Sequence, residues 1–192
     1  MTAKGRVSMH DVTDRWPDPR AQELRIMRDG LSILPLPARP MALISGPVSR
    51  ALTACGQMRA WGWPDPVPDG PVALRLRRDR ILMLGGARLE DGWNAESGLA
   101  ISRMDGAWLG LTVGGRRAFD LIRRGTEISL DQPSASVMRL FSGVEIALWR
   151  SAEEEFRLLV PAPQAAFLWQ FLSQCAEDLA PPHPDFQHMK TP

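Results

Sequence analysis

Apolar positions fall into two repeating registers along this chain, one of period two and one of period 3.6. They are clearest between residues 108 and 172. Residues 108–113 (Trp-Leu-Gly-Leu-Thr-Val) read as a strand that ends on Gly114-Gly115. Over 116–124, Ala118, Leu121 and Ile122 share one helical face while Arg116, Arg117, Arg123 and Arg124 lie elsewhere, and Gly125 ends the helix. Residues 137–141 and 144–150 form two strands joined by Ser142-Gly143, a two-residue hairpin turn, with Val144, Ile146 and Leu148 alternating with Glu145, Ala147 and Trp149. A strand over 156–160 follows the acidic turn 153–155, and Pro161 and Pro163 introduce a helix. In that helix Leu168, Phe171, Leu172, Cys175 and Leu179 keep the helical period, widened by Phe167 and Trp169.

The first half gives a similar series with weaker signals. Residues 1–29 are polar, with apolar residues too scattered to make a stripe, and they read as an extension. Residues 30–40 carry three prolines, which argues against a long central strand or helix and predicts an extended run over a surface. A strand over 41–45 leads through Gly46-Pro47 into a helix whose face is Val48, Ala51, Leu52 and Cys55, closed by Gly56. Residues 61–71 hold four prolines and read as irregular, the clearest internal boundary. Strands are expected at 72–77 and 81–84, and a loop at 85–98 that holds Trp93. Two further strands, at 99–103 and 107–113, flank a hairpin turn at Asp105-Gly106.

Gly46 to Gly56 and Gly115 to Gly125 are equally spaced, and Leu52 and Leu121 fall at the same offset, which marks a weak internal duplication. The expected fold is α+β, with two pseudo-repeated units of strand, helix and antiparallel sheet. The expected organisation is an N-terminal arm at 1–38, a domain at 39–179 with sub-units of about 41–104 and 105–179, and a C-terminal tail at 180–192.

Charge and composition narrow the chemistry. Twenty-three basic against 22 acidic side chains leave a net charge of +1, so no overall field recruits nucleic acid. No apolar run approaches the roughly 20 residues of a membrane span, and no signal-like apolar segment opens the chain, so a cytoplasmic location is expected. Arg75, Arg77, Arg78 and Arg80 could hold an anion, but a solvated strand face accounts for them more simply; binding there, or at the arginines of 116–124, would weaken steeply with salt. Cys55 and Cys175 lie far apart, outside any CxxC pattern, and read as free thiols in a reducing compartment.

His10, His183 and His188 all lie in the terminal extensions, which removes a scaffold-held base from any nucleophilic triad. His183, Asp185 and His188 lack a fourth metal ligand. Glu90, Asp91 and Glu96 cluster in a loop instead of facing one another, and Gly114-Gly115 opens a helix N-terminus that packing alone would explain. No dinucleotide fingerprint or phosphate loop is present. Seven tryptophans without a tyrosine give rigid aromatic area suited to an interface, and Trp61, Trp63 and Trp93 are the expected partner contacts.

Residues 111–131, Leu-Thr-Val-Gly-Gly-Arg-Arg-Ala-Phe-Asp-Leu-Ile-Arg-Arg-Gly-Thr-Glu-Ile-Ser-Leu-Asp, resemble the strand, Gly-x-x-Ala-x-x-Leu-Leu-x-x-Gly helix and following Leu-Asp segment of the gamma subunit of heterotetrameric sarcosine oxidase. The strands at 137–141 and 143–150, the segment Phe156-Arg-Leu-Leu-Val-Pro161 and the helix Phe167-Leu-Trp-Gln-Phe-Leu172 continue in that family's order, over about residues 40–178. Residues 74–84 depart from it. The resemblance implies a fold like the folate-binding aminomethyltransferase domain and a small non-catalytic subunit that carries no cofactor, catalytic residue or metal. FAD, FMN, NAD, zinc and tetrahydrofolate would belong to the alpha, beta and delta subunits of a complex that demethylates an N-methyl amino acid. A free-standing folate-binding enzyme of the aminomethyltransferase kind is the alternative.

Overall fold

In a computed structural model, which describes residues 24–179, the chain is mixed α+β and stacks two six-stranded sheets between helices. The elements run β1 (Ile26–Arg28), β2 (Leu31–Pro35), β3 (Met41–Ser45), α1 (Val48–Ala54), β4 (Ala60–Trp61), β5 (Val72–Arg77), β6 (Arg80–Leu84), β7 (Gly92–Asn94) and β8 (Leu99–Arg103). They continue with β9 (Trp108–Gly114), α2 (Ala118–Gly125), β10 (Met138–Phe141), β11 (Val144–Ala152), β12 (Glu155–Pro161) and α3 (Ala165–Leu179). Sheet I has the order β4-β5-β6-β3-β8-β7 and sheet II the order β1-β2-β9-β12-β11-β10.

The hydrophobic alternation explains the layering. Ala42, Ile44, Ile81 and Met83 face α1 and its Ala51, while Met41, Leu74, Leu82 and Leu84 point from sheet I toward sheet II. There they meet Ala147, Trp149 and Leu159. The opposite face of sheet II, through Ile146, Leu148, Phe156 and Leu158, packs on Leu121, Ile122, Leu168 and Leu172 of α2 and α3. β11 therefore buries both of its faces, and its sequence is apolar at nearly every position from Val144 to Trp149 for that reason.

The duplication is visible in the topology. From β3 the sheet continues β6-β5-β4 on one side and β8-β7 on the other; from β9 it continues β12-β11-β10 and β2-β1. Each repeat is thus a hairpin followed by strand, helix and three strands, and each hairpin joins the sheet of the other repeat: β1-β2 pairs with β9, and β7-β8 with β3. The two halves diverge at the outer edge, where β4 runs parallel to β5 but β10 antiparallel to β11.

This exchange corrects four expectations. Residues 31–35 form β2, an internal strand of sheet II, so the boundary expected at 38 does not separate an arm from the domain. The ladder tolerates the segment because Leu31 and Ile33 are buried and Pro35 falls at the strand end, with Pro37 and Pro40 beyond it. The Asp105-Gly106 turn does not make a hairpin: β8 and β9 lie in different sheets, and the Asp105 carboxylate accepts the Met41 N–H at 2.9 Å instead. Residues 92–94 of the expected loop are the edge strand β7. Residues 61–71 bridge the halves and do not divide them, because Trp63 pairs with Ser134 and Val67 N–H donates to the Arg150 carbonyl at 2.8 Å. The hairpin at Ser142-Gly143 is as expected, with φ of 47° and 84°, both in the left-handed region.

Candidate functional site

The two chain crossovers between sheets, residues 36–40 leading from β2 to β3 and residues 104–107 leading from β8 to β9, meet at one cavity of about 670 Å³. Leu24, Leu36, Met41, Leu84, Trp108 and Leu159 supply apolar walls from both sheets, and Arg39, Arg88 and Asp105 supply the charged groups. Size and apolar lining are those of a small-molecule site.

Its one carboxylate is already engaged within the chain. The Met41 N–H holds the Asp105 carboxyl below the usual carboxylate range, helped by Arg103 and Arg88, whose Nη2 atoms lie 3.4 and 4.0 Å from Oδ2. A carboxylate so engaged is a fixed negative acceptor and a weak base. Neither thiol offers a nucleophile. Burial raises the Cys55 thiol above its ordinary value and its S–H donates to the Ala51 carbonyl, while Cys175 is buried and also raised. Among the described residues no cluster of His, Cys, Asp or Glu could hold a metal ion, and no helix is long and apolar enough to cross a membrane. His10, His183, His188 and Asp185 lie outside the described residues. Glu90 and Glu96 stay exposed, and Asp91 accepts the Arg103 N–H.

The three tryptophans expected at a partner surface have three different fates. Trp63 is buried: its indole N–H donates to the Ser129 carbonyl at 2.7 Å and its ring stacks on Phe156 at 6.0 Å, so it is a core residue that closes the two halves together. Its place in a proline-rich segment hid this, because the burial comes from contacts across 66 residues of sequence. Trp61 is half-buried under the Arg59 guanidinium, 3.7 Å from the ring centroid. Trp93, on edge strand β7, is 67% exposed and remains available.

The arginine set of β5 and β6 is largely committed within the chain. Arg75 donates to the Arg78 carbonyl, Arg77 pairs with Glu145 at 2.9 Å, and Arg80 donates to Ser45 Oγ. Arg116 pairs with Asp29 and Arg124 with Asp178. The glycine turn that opens α2 is a packing requirement: the Gly30 carbonyl accepts the Arg117 N–H and lies against Gly115, which closes the space an anion would need. Asp105 as a tether between crossovers escaped the sequence reading because the Asp-Gly pair there carries the usual signature of a local turn.

No family model matches the chain, and no curated protein matches its sequence. The heterotetrameric sarcosine oxidase from Corynebacterium sp. U-96, solved in complex with pyrrole 2-carboxylate, contains a chain that superposes with a TM-score of 0.65 at 15% identity, covering 85% of this chain and 93% of that one. The fold is that of a sarcosine oxidase chain. Aminomethyltransferase T of the glycine cleavage system from Bartonella henselae gives a TM-score of 0.49 at 13% identity, covering 74% of this chain and 45% of that one. The sarcosine oxidase-like α+β fold expected over about residues 40–178 is thereby established.

Proposed function

We propose that this chain is the small gamma-type subunit of a flavin-dependent complex that oxidises an N-methylated amino acid, and that it supports a larger neighbour without supplying reactive groups. The observation that carries this reading is the match spanning nearly the full length of both chains with a chain of a heterotetrameric sarcosine oxidase. Asp105 held by Met41 and thiols raised by burial are consistent with a supporting part. The partners are alpha-, beta- and delta-type subunits carrying the flavins, NAD, zinc and tetrahydrofolate, and the complex works in the cytoplasm. Trp93, with its neighbours on the β7 edge, is the side chain offered to the large subunit.

Co-expression with the large flavin-binding chain of a sarcosine oxidase-like complex tests this. The expected result is co-elution in fixed ratio, with sarcosine-dependent peroxide release lost when this chain is omitted. A chain that elutes alone whichever flavoprotein accompanies it contradicts the reading.

The cavity between the crossovers favours one second reading, a free-standing folate-binding enzyme of the aminomethyltransferase kind. Titrating the isolated chain with reduced folate separates the two: saturable binding with turnover supports the enzyme, and neither is expected of the subunit.

A further inference from the structure

A separate cavity of about 570 Å³ opens beside Trp63, between the end of α2 and the segment 126–134. Its charged lining is Arg123, Arg139 and Glu127, two cations against one carboxylate. Arg139, on edge strand β10, is partly withdrawn from solvent, with its guanidinium carbon 5.8 Å from the Trp63 ring centroid. Nη1 donates to the carbonyl oxygens of Ser136 at 3.0 Å and Met138 at 2.6 Å. Nε and Nη2 have no protein acceptor among the described residues, yet they are not sealed in, since Arg157 Nε is the only buried, unpartnered side-chain nitrogen or oxygen there. Solvent reaches them, and Arg139 is part of the cavity wall.

A withdrawn guanidinium normally has a carboxylate. Arg157, with a side chain 14% exposed, shows the usual solution by pairing with Asp69 at 2.8 Å and Glu155 at 3.2 Å. Among the described residues neither Arg139 nor Arg123 has a carboxylate oxygen within 4.0 Å. Burial pulls the Arg139 guanidinium below its ordinary pKa with no anion offsetting it, a cost that a bound anion would reverse. The Trp63 ring is engaged by Phe156 and Arg139, so recognition here comes from charge and hydrogen bonds and not from stacking a ligand ring.

The geometry points to an oxyanion site in which Arg139 and Arg123 together hold the carboxylate or phosphate of a small acid. The site stands apart from the crossover cavity and is independent of the subunit reading. Arg139 supplies the directed donors, Nε–H and Nη2–H, in the fork that fits a planar carboxylate. Arg123, exposed at the last turn of α2, adds charge from the rim.

The test is a titration of the full-length, nitrogen-15-labelled chain with sodium acetate and, separately, inorganic phosphate, at constant ionic strength with chloride as the reference ion. Arginine Nε–H and tryptophan indole N–H resonances are followed, with R139Q assigning the first. The expected result is a saturating shift with at least one oxyanion, and affinity about tenfold lower in R139Q, the size of one lost charge-assisted hydrogen bond. Because R139Q disturbs a partly buried position, R123Q at an exposed one provides a second reading, with affinity expected to fall several-fold. Shifts no larger than those with chloride, or equal affinities in the wild type and both variants, would overturn the site.

Discussion

Gly115 packs so tightly on Gly30 that a methyl group on Gly115 would meet the Gly30 carbonyl oxygen at 2.5 Å. Gly46 stands in the same relation to Gly98, again at 2.5 Å. Gly46 and Gly115 both have left-handed φ, 137° and 102°, and both donate their N–H to a turn carbonyl, that of Asp79 and Glu154 respectively. In each repeat the glycine that ends the central strand is covered by the hairpin contributed by the other repeat. Both contacts sit beside the ladders by which the hairpins are exchanged, and neither half can make them alone.

Gly115→Ala and Gly46→Ala should therefore each destabilise the protein by about 3 kcal/mol or more, combining backbone strain with a clash against backbone that cannot rotate away. Gly56→Ala is the control. Gly56 has a φ of 64° but nothing within 4 Å of the added carbon, so strain alone should cost about 1 kcal/mol. Urea unfolding of the three variants reads the difference directly.

Gly125 shares the spacing of Gly56 for an unrelated reason. An added carbon would meet the Phe141 ring at 2.1 Å, while its φ is unexceptional. Gly125→Ala should be strongly destabilising and Phe141→Leu moderately so, but the double variant should be more stable than the sum of the two predicts, because the smaller side chain makes room. An additive double-mutant cycle would show that the ring is not the obstacle.

Ser142 occupies the first position of a turn in which both residues have positive φ, a conformation asparagine adopts more readily. Ser142→Asn should stabilise by about 0.5 kcal/mol, measurable as a rise in the urea midpoint with an unchanged slope.

Asp105 gives a pH signature. Its hydrogen bond from the Met41 N–H lowers the folded pKa below the unfolded value, so the folded state binds fewer protons through the acid range. Its stabilising contribution is complete above the unfolded carboxyl value, about 3.9, and is lost as pH falls through the lower folded value. Asp105→Asn should flatten the fall in stability below about pH 4 relative to wild type while leaving its shape at neutral pH unchanged. Chemical denaturation at a series of acid pH values checks it.

Local signals carried the second repeat. The helical stripe of Ala118, Leu121 and Ile122, the Ser142-Gly143 hairpin and the long face of α3 each contain their own register, so the strands and helices there follow from neighbours in sequence. The first repeat and the exchange were opaque for the opposite reason. β2 becomes a strand because β9, about 80 residues away in sequence, supplies its ladder, as the contact of Ser32 Oγ with the Gly114 carbonyl shows, and β7 because β8 does. Trp63 and Trp93 are the same residue type in similar turn-rich surroundings, yet one is buried through contacts with Ser129 and Phe156 and the other stands on an open edge. Only tertiary pairing separates them. Arg139 likewise looks like any strand arginine until Trp63 and the 126–134 segment close around it.

The two tryptophans should separate stability from association. Trp63→Ala should cost about 3–5 kcal/mol, since it removes a buried ring and leaves the Ser129 carbonyl without its donor. Trp93→Ala should change stability by no more than about 0.5 kcal/mol, as expected for an exposed site.

Association with a large flavin-binding subunit is the claim on which the functional account turns, and it is read most directly by sedimentation of the purified chain mixed with that subunit. The account predicts one heavier species containing both chains and the flavin absorption, with affinity reduced about tenfold or more by Trp93→Ala. Two independent boundaries, with this chain sedimenting at the mass of its monomer at every ratio, would contradict it.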